Sequence, residues 1–418
     1  MIPATAKKTV FLFLQGPHGP FFHRLGRMLQ RAGASVWRIG FNAGDRAFWF
    51  QPSTYIPFRG ALLEWEDTFD ALVAEKGVTD IVLYGDTRPV HAKAVARANA
   101  LGLRVHVFEE GYMRPFWVTY ERGGSNGNSR LMNTTVAEMQ TALERSDMEA
   151  PMPPSHWGDM RQHVFYGALY HWFVMFRNGD YRHFRTHRDI PVIKEFGLYL
   201  KRLLLMPLQG IERRIATWRI RNGGFPFHLA LLQLEHDSSF KMHSPFDTMT
   251  DFLELVVRDF AKGAPQHHHL VFKAHPLEDG RVPVRKSLKE MAARHGVSKR
   301  VHYARTAVTV NSTAGQQVLW RGIPLKTFGS AVYSKPEFVS NQPRTQFFEA
   351  AERSDNRAYK DYRRYLLKTS QVPGGFYSTR GRRQLMRHVV DMMLSSEDPY
   401  DALRSGTAAP RQQLRVVN

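Results

Sequence analysis

The 418-residue chain carries 58 Lys and Arg against 38 Asp and Glu, a formal charge of +20, with 43% hydrophobic residues and no cysteine. This composition excludes an intrinsically disordered chain and a disulfide framework, and at roughly 100–200 residues per domain it predicts two domains. The charge favours a polyanion, whether nucleic acid, anionic lipid or sugar nucleotide, and does not choose among them.

The first apolar run, in VFLFLQG, breaks at Gln15-Gly16-Pro17 and lacks a small-residue cleavage site, so it reads as a buried strand and not as a leader. Phe22, Leu25, Met28 and Leu29 then recur at helical spacing, and Gly33 ends that helix. SVWRIGFN predicts a second strand and ALLEWEDTFDALVAEKG a helix. DIVLYGD, HAKAVARANALG and RVHVFEEG follow as strand, helix and strand. Repeated strand–helix units imply a parallel sheet with right-handed crossovers, whose ligands sit at the carboxyl ends of the strands. Gly16, Asp86 and Glu109 to Gly111 all fall at such ends.

Residues 151–224 change character. Between 161 and 222 there are twelve Lys and Arg, Arg182, Arg185 and Arg188 among them, against four acids, with Phe165, Tyr166, Tyr170, Trp172, Phe173 and Phe176 interleaved. The segment reads as helical, either docking on an anionic surface or packing its aromatics into a core behind a solvated basic face. Its run from Leu198 to Leu208 is interrupted by Lys201 and Arg202 and is shorter than the roughly 20 apolar residues a membrane span needs. The expectation is a cytoplasmic protein, soluble or peripheral on the inner membrane.

The alternating pattern resumes at FHLALLQLEHDSS. TMTDFLELVVRDFAKG predicts a helix, HLVFKAHP a strand, SLKEMAARHG a helix, AVTVNST a strand, AGQQVLWRG a helix and PLKTFG a short strand. A final helix is expected over RRQLMRHVVDMML. The expected organisation is an α/β, GT-B-like pair of Rossmann-like domains facing a cleft. Residues 1–150 form the first domain, 151–224 a basic helical insertion and 225–345 the second domain. A helical region over 346–395 and a polar tail over 396–418 complete the chain.

Five stretches carry candidate chemistry. Glu109 and Glu110 end a strand before Gly111, which suits proton transfer or describes ordinary loop acids. Lys273-Ala274-His275-Pro276 ends another: His275 can donate to a phosphate, Lys273 adds charge, and Pro276 fixes the turn. Ser312 and Thr313 stand where a strand meets a helix, as caps or as phosphate contacts. Asp237, after an apolar strand, is either a nucleophile or a helix cap. Gly16, in Gln15-Gly16-Pro17-His18-Gly19-Pro20, lets a ligand approach the backbone, yet no dinucleotide or Walker spacing is present. His267, His268 and His269 alternate along a strand and so do not converge on a metal, and no Asp-x-Asp pair offers to bridge a cation to phosphates. No cofactor or metal is expected, and without a recognised nucleic-acid motif no nucleic-acid partner is expected either.

Taken together, the carboxylate–carboxylate–Gly, His-Pro and Ser-Thr elements resemble those of bacterial sialyltransferases and, more closely, of the S-type capsule Kdo transferases. The closer resemblance extends to QGPHGPFFHRLGRMLQRAGASVWRIGFNAGDRAFW, YGDTRPVHAKA, VFEEGYMRP, KAHPLEDG and VNSTAGQQVLWRGIPLKTFG. It implies transfer of Kdo from CMP-Kdo onto phosphatidylglycerol or its lyso form, beginning the β-Kdo linker of a capsule with net retention. On that analogy Asp237 is the nucleophile, Glu109 or Glu110 the acid/base, and His275, Ser312 and Thr313 hold the CMP phosphate. Other capsule-assembly proteins are possible partners, and a non-catalytic capsule export or assembly component is the alternative. One departure stands out: only VHYARTA precedes TVNST, where such enzymes have a helix.

Overall fold

Four consecutive apolar residues, Val10–Phe13, form strand β1, and all four are buried because the strand lies inside a sheet covered on both faces. The computed structural model describes residues 9–146, 149–153, 158–183, 208, 211–212, 214–235, 240, 244–274, 282–305 and 313–407. After β1 come α1 (Phe21–Arg31), β2 (Ser35–Gly40), α2 (Ala43–Ala47), β3 (Tyr55–Pro57), α3 (Trp65–Lys76), β4 (Asp80–Tyr84), α4 (Pro89–Ala100), β5 (Arg104–Glu110), β6 (Trp117–Arg122), α5 (Val136–Glu144) and α6 (Met160–Phe176). Then follow β7 (Phe227–Leu231), α7 (Met249–Gly263), β8 (His269–Ala274), α8 (Val284–Arg294), β9 (Val301–Arg305) and α9 (Thr313–Trp320). The last elements are α10 (Arg344–Glu349), α11 (Asn356–Lys368), β10 (Gln371–Pro373), α12 (Thr379–Leu394) and α13 (Pro399–Ser405).

The chain divides into two units, Met1–His187 with Asp361–Asn418, and Arg188–Lys360. The first holds a seven-stranded sheet in the order β10-β6-β5-β4-β1-β2-β3. β3, β2, β1, β4 and β5 run parallel, while β6 and β10 are antiparallel additions at one edge. Strand alternation sorts the core into two layers. Phe11, Phe13 and Phe108 pack with Phe21, Phe22 and Leu25 of α1 and Leu385 and Val389 of α12. Leu12, Ile81, Leu83 and Val107 pack on the other face with Trp65 and Phe69 of α3 and Ala94 of α4.

A buried polar cluster ties the amino ends of β4 and β5. His106 Nε2 lies 2.7 Å from Asp80 Oδ1 and its Nδ1 2.7 Å from the Tyr120 hydroxyl, while Arg104 Nε is 2.7 Å from Asp80 Oδ1. Burial pushes the Asp80 carboxyl up, but the bonds and charge from His106, with bonds from Thr79 and Arg104, outweigh it and hold the group below its ordinary value. The cluster lies at the edge opposite to the carboxyl ends of the parallel strands.

Several expectations change here. The separate helical region over 346–395 does not stand alone: β10 pairs with β6, and α12 covers the first sheet. The polar tail contains a helix, α13, which forms because Tyr400, Ala402 and Leu403 are buried and the Tyr400 hydroxyl donates to buried Glu121 at 2.5 Å. Pro324–Gly329 is irregular and forms no strand. Residues 307–312 of AVTVNST lie outside the described residues, and the third strand of the second sheet is VHYAR.

The second unit holds a parallel sheet in the order β7-β8-β9. α7 begins with Thr248 and Asp251 capping each other and buries Leu253, Val256, Val257 and Phe260 against it. Among the described residues no helix is long and apolar enough to cross a membrane.

Candidate active site

In the first unit β1 and β4 are neighbours, yet the chain leaves β1 toward β2 on one side and β4 toward β5 on the other. Such a switch opens a crevice at the carboxyl ends of the two strands. Gln15, beyond β1, is anchored there: its Nε2 donates to Asp45 Oδ2 at 3.0 Å. The same carboxylate accepts from Phe41 N at 3.0 Å and from Arg38 Nη2 at 3.2 Å, and all three side chains are buried. A buried ion pair this fully bonded holds the end of β1 in one geometry. Gly16 has a packing reason, since a Cβ there would stand 2.5 Å from the Phe22 ring. The structure thus gives a cause for this glycine other than the approach of a ligand.

β5 delivers the paired carboxylates, and alternation sends them to opposite faces. Glu109 turns back: its Oε1 accepts from Glu110 N at 2.9 Å, and its Oε2 lies against Gly85. Glu110 projects on the α1 and α12 face, where the Tyr84 hydroxyl lies 3.4 Å from its Oε1. Gly111 must follow, because a Cβ there would collide with the carbonyl of Trp117 where the chain turns into β6.

Around Glu110 stand residues from distant parts of the chain. Tyr377, between β10 and α12, stacks on His163 of α6 with ring centroids 3.9 Å apart and planes 3° apart. Tyr84 sits edge-on to Phe376 at 5.4 Å. Burial first, then the Glu110 charge, push the Tyr84 and Tyr377 hydroxyls far above their ordinary range, so both remain protonated donors. Burial and the Arg114 charge lower the His163 imidazole against an upward pull from Glu110, which favours the neutral ring near pH 7. Arg88 places its guanidinium over the Tyr84 ring at 5.7 Å, with Nη1 3.5 Å from Gln15 Oε1. Fully buried Arg382 fixes α6 here: its Nη2 donates to Gln162 at 3.3 Å, its Nη1 to the Phe376 carbonyl at 3.0 Å, and it lies over the Tyr166 ring.

Asp86, also at the carboxyl edge, is buried and accepts from Ser125 N at 2.8 Å and Asn128 Nδ2 at 3.2 Å. That makes it a loop anchor.

In the second unit, Lys273 lies one residue from the end of β8, and burial lowers its ammonium. Thr313 is the first residue of α9. Asp237, His275, Pro276 and Ser312 lie outside the described residues. The three consecutive histidines separate as alternation requires: His268 Nδ1 lies 3.1 Å from His228 Nε2, and His269 Nδ1 lies 2.6 Å from His302 Nε2. Both pairs stand at the amino ends of the strands, away from Lys273. Among the described residues no group of three or more His, Asp or Glu side chains is placed to hold a metal.

Arg182 is exposed, and Arg185 and Arg188 lie outside the described residues. The aromatics of α6 divide. Tyr170 faces inward, accepting from Asn42 Nδ2 at 2.7 Å, whereas Phe165, Trp172 and Phe176 are exposed.

Two α/β units, one with a mostly parallel seven-stranded sheet and one with a parallel three-stranded sheet, and a pair of carboxylates at the carboxyl end of a strand define an α/β protein of two parallel-sheet units. The chain belongs to the capsule polysaccharide biosynthesis protein family, whose model matches residues 79–377. It is 28% identical over 380 residues to the capsule polysaccharide export protein KpsS of Escherichia coli, covering 88% of this chain and 96% of that one. It is 30% identical over 394 residues to the capsule polysaccharide modification protein LipB of Neisseria meningitidis serogroup A, covering 88% and 91%. Among solved structures, a glycosyltransferase from Rickettsia africae aligns at TM-score 0.31 and 9% identity, covering 96% of this chain and 97% of that one. The MnaA–UDP structure of S. aureus aligns at 0.29 and 9%, covering 94% and 99%. Scores this low carry no functional weight.

Sequence reasoning singled out Glu109 and Glu110 but missed Tyr84, Arg88, Arg114, His163 and Tyr377. The first two flank the strand-end Gly85-Asp86 and were open to discovery from the same loop. His163 and Tyr377 have no local signal, because only the tertiary fold brings α6 and the β10–α12 turn to β5.

Proposed function

We propose that the protein is a glycosyltransferase that moves Kdo from CMP-Kdo onto phosphatidylglycerol or its lyso form, beginning the poly-Kdo linker of a capsular polysaccharide. The observation that carries this reading is the Glu110 carboxylate, set at a strand-end crevice beside Tyr84, in a chain of the capsule polysaccharide biosynthesis family. The motif resemblance supplies the donor and the acceptor.

In this reading the bond between the anomeric carbon of Kdo and the phosphate oxygen of CMP breaks, and CMP leaves with the electron pair. The Asp237 carboxylate takes the anomeric carbon, and the acceptor hydroxyl then displaces it, giving net retention by two inversions. Glu110 receives the hydroxyl proton. Glu109, bonded to the Glu110 backbone, supports it. Lys273, His275, Ser312 and Thr313 stabilise the departing phosphate, and Pro276 aims His275. No metal or cofactor takes part in the chemical step.

Docking on the inner face of the inner membrane accounts for the exposed Phe165, Trp172 and Phe176 on a helix flanked by exposed Arg161, Arg177 and Arg182. Arginine meets anionic headgroups while aromatic rings settle at the interface, each cation contributing about 1 kcal/mol.

The test is CMP release from CMP-Kdo, measured with and without lysophosphatidylglycerol, together with the mass of the lipid product. Acceptor-dependent release and a lipid heavier by one Kdo residue are expected, undiminished by EDTA. A second reading, a non-catalytic component of export or assembly, is favoured by the likeness to the E. coli capsule polysaccharide export protein. Absence of CMP release and of labelled lipid favours that second reading.

A further inference from the structure

A basic group at the carboxyl edge of the first sheet has no part in the scheme above. Arg88 leaves the loop after β4 and Arg114 the turn after β5. Arg88 lies over Tyr84 and reaches Gln15, which the buried Asp45 holds in place. The Tyr377 hydroxyl feels Glu110, Arg88, Glu109 and Arg114 together, and His163 feels Glu110 and Arg114. Arg88 thus lies over the ring whose hydroxyl meets Glu110, Arg114 follows Glu110 by four residues in the turn after β5, and Tyr377 stacks on His163 within reach of both charges.

We propose that Arg88 and Arg114 form the subsite for the anionic phosphodiester of the acceptor, beside the carboxylate that takes its proton. The inference rests on the glycosyl-transfer reading and names the acceptor site within it. Three physical points support it. A base must touch the hydroxyl it deprotonates, so whatever occupies the space beside Glu110 is the acceptor and not the nucleotide. An anionic acceptor approaching two carboxylates is repelled unless cations offset them, and two arginines do so one for one. Guanidinium pairs with phosphate oxygens through two parallel N–H bonds, which fixes orientation as well as charge. The donor elements Lys273 and Thr313, by contrast, belong to the second unit.

The experiment has a binding arm and a kinetic arm. In the first, calorimetric titration of the full-length protein with glycerophosphoglycerol is compared between the native chain and the R88M/R114M variant, with inorganic phosphate as competitor. We expect the double variant to bind at least tenfold more weakly, the single variants Arg88→Lys and Arg114→Lys to lose part of that, and phosphate to compete. Equal affinity in native and double-variant protein, or no binding by the native protein, overturns the subsite. In the second arm, the apparent KM for lysophosphatidylglycerol is expected to rise at least tenfold, and by more than the apparent KM for CMP-Kdo. A raised KM for CMP-Kdo with an unchanged acceptor KM assigns the cations to the donor and also overturns it. Should the methionine variant fail to fold by circular dichroism, the two lysine variants decide by the same measures. Failure of the glycosyl-transfer reading shows separately, as absence of CMP release by the native protein, and leaves the binding arm decisive.

Discussion

The first sheet carries titratable groups at both ends of its strands, whereas the described histidines of the second crowd its amino edge. In the first unit the chemistry-bearing residues Glu110, Tyr84 and Arg88 stand at the carboxyl edge, and the amino edge is closed by the buried Asp80–His106–Arg104 cluster. In the second unit Lys273 lies near the carboxyl end of β8, while histidine crowds the amino edge in the pairs His228–His268 and His269–His302. A cluster of titratable groups is therefore a poor guide to a site by itself. The end of the strand on which it sits separates a cluster that ties strands together from one that meets a ligand.

The sharpest test of the comparison falls on the second unit. Asp237→Asn is expected to keep the fold and to reduce transfer by about 10³-fold or more, because an amide is a poor nucleophile. Native turnover in that variant assigns the nucleophile elsewhere. On the first unit Gly16→Ala is expected to cost about 1–3 kcal/mol, since the new methyl meets the Phe22 ring in a packed core. Denaturant unfolding measures this, and an unchanged midpoint contradicts the packing reason for the glycine.

A third test uses pH. Burial pushes the Glu121 carboxyl up to about 8, against hydrogen bonds from Tyr400, Ser129 and Tyr112. The folded state therefore keeps a proton that the unfolded chain loses above its ordinary value near 4.5. The stability linked to this proton is complete below that lower value and is lost as pH rises through about 8. The melting temperature is expected to fall from pH 6 to pH 9, and Glu121→Gln is expected to flatten the decline. A decline equally steep in the variant places its cause elsewhere. The smallest effect is expected for His269→Gln, which removes one member of an amino-edge pair and leaves transfer within about twofold, since residues away from the reacting groups change activity little. A tenfold loss contradicts the distinction between the two edges.

Much of this was open to reading in the sequence, for definite reasons. Buried parallel strands announce themselves as apolar runs, as in Val10–Phe13 and Asp80–Tyr84, and amphipathic helices such as α1 and α7 by their spacing. The strand-end position of Glu109 and Glu110 followed from those elements. β6 and β10 did not, because they are an antiparallel edge addition and β10 is only three residues long. VHYAR is too polar to announce itself as the strand it forms. α13 was hidden by its polar neighbours and is held by tertiary contacts, among them Tyr400 with Glu121 and Arg130 with Asp398 and Asp401. Of the residues around Glu110, His163 and Tyr377 were beyond local reasoning, since they meet only when separate stretches of chain are assembled.

The central claim is that Glu110, and not its neighbour, exchanges the proton of the acceptor. The most direct measurement is the rate of Kdo transfer to lysophosphatidylglycerol by Glu110→Gln and Glu109→Gln, each first shown to melt as the native protein does. The account predicts a loss of about 10²–10⁴-fold for Glu110→Gln and a loss of no more than about tenfold for Glu109→Gln. The reverse order, or native rates in Glu110→Gln, contradicts it.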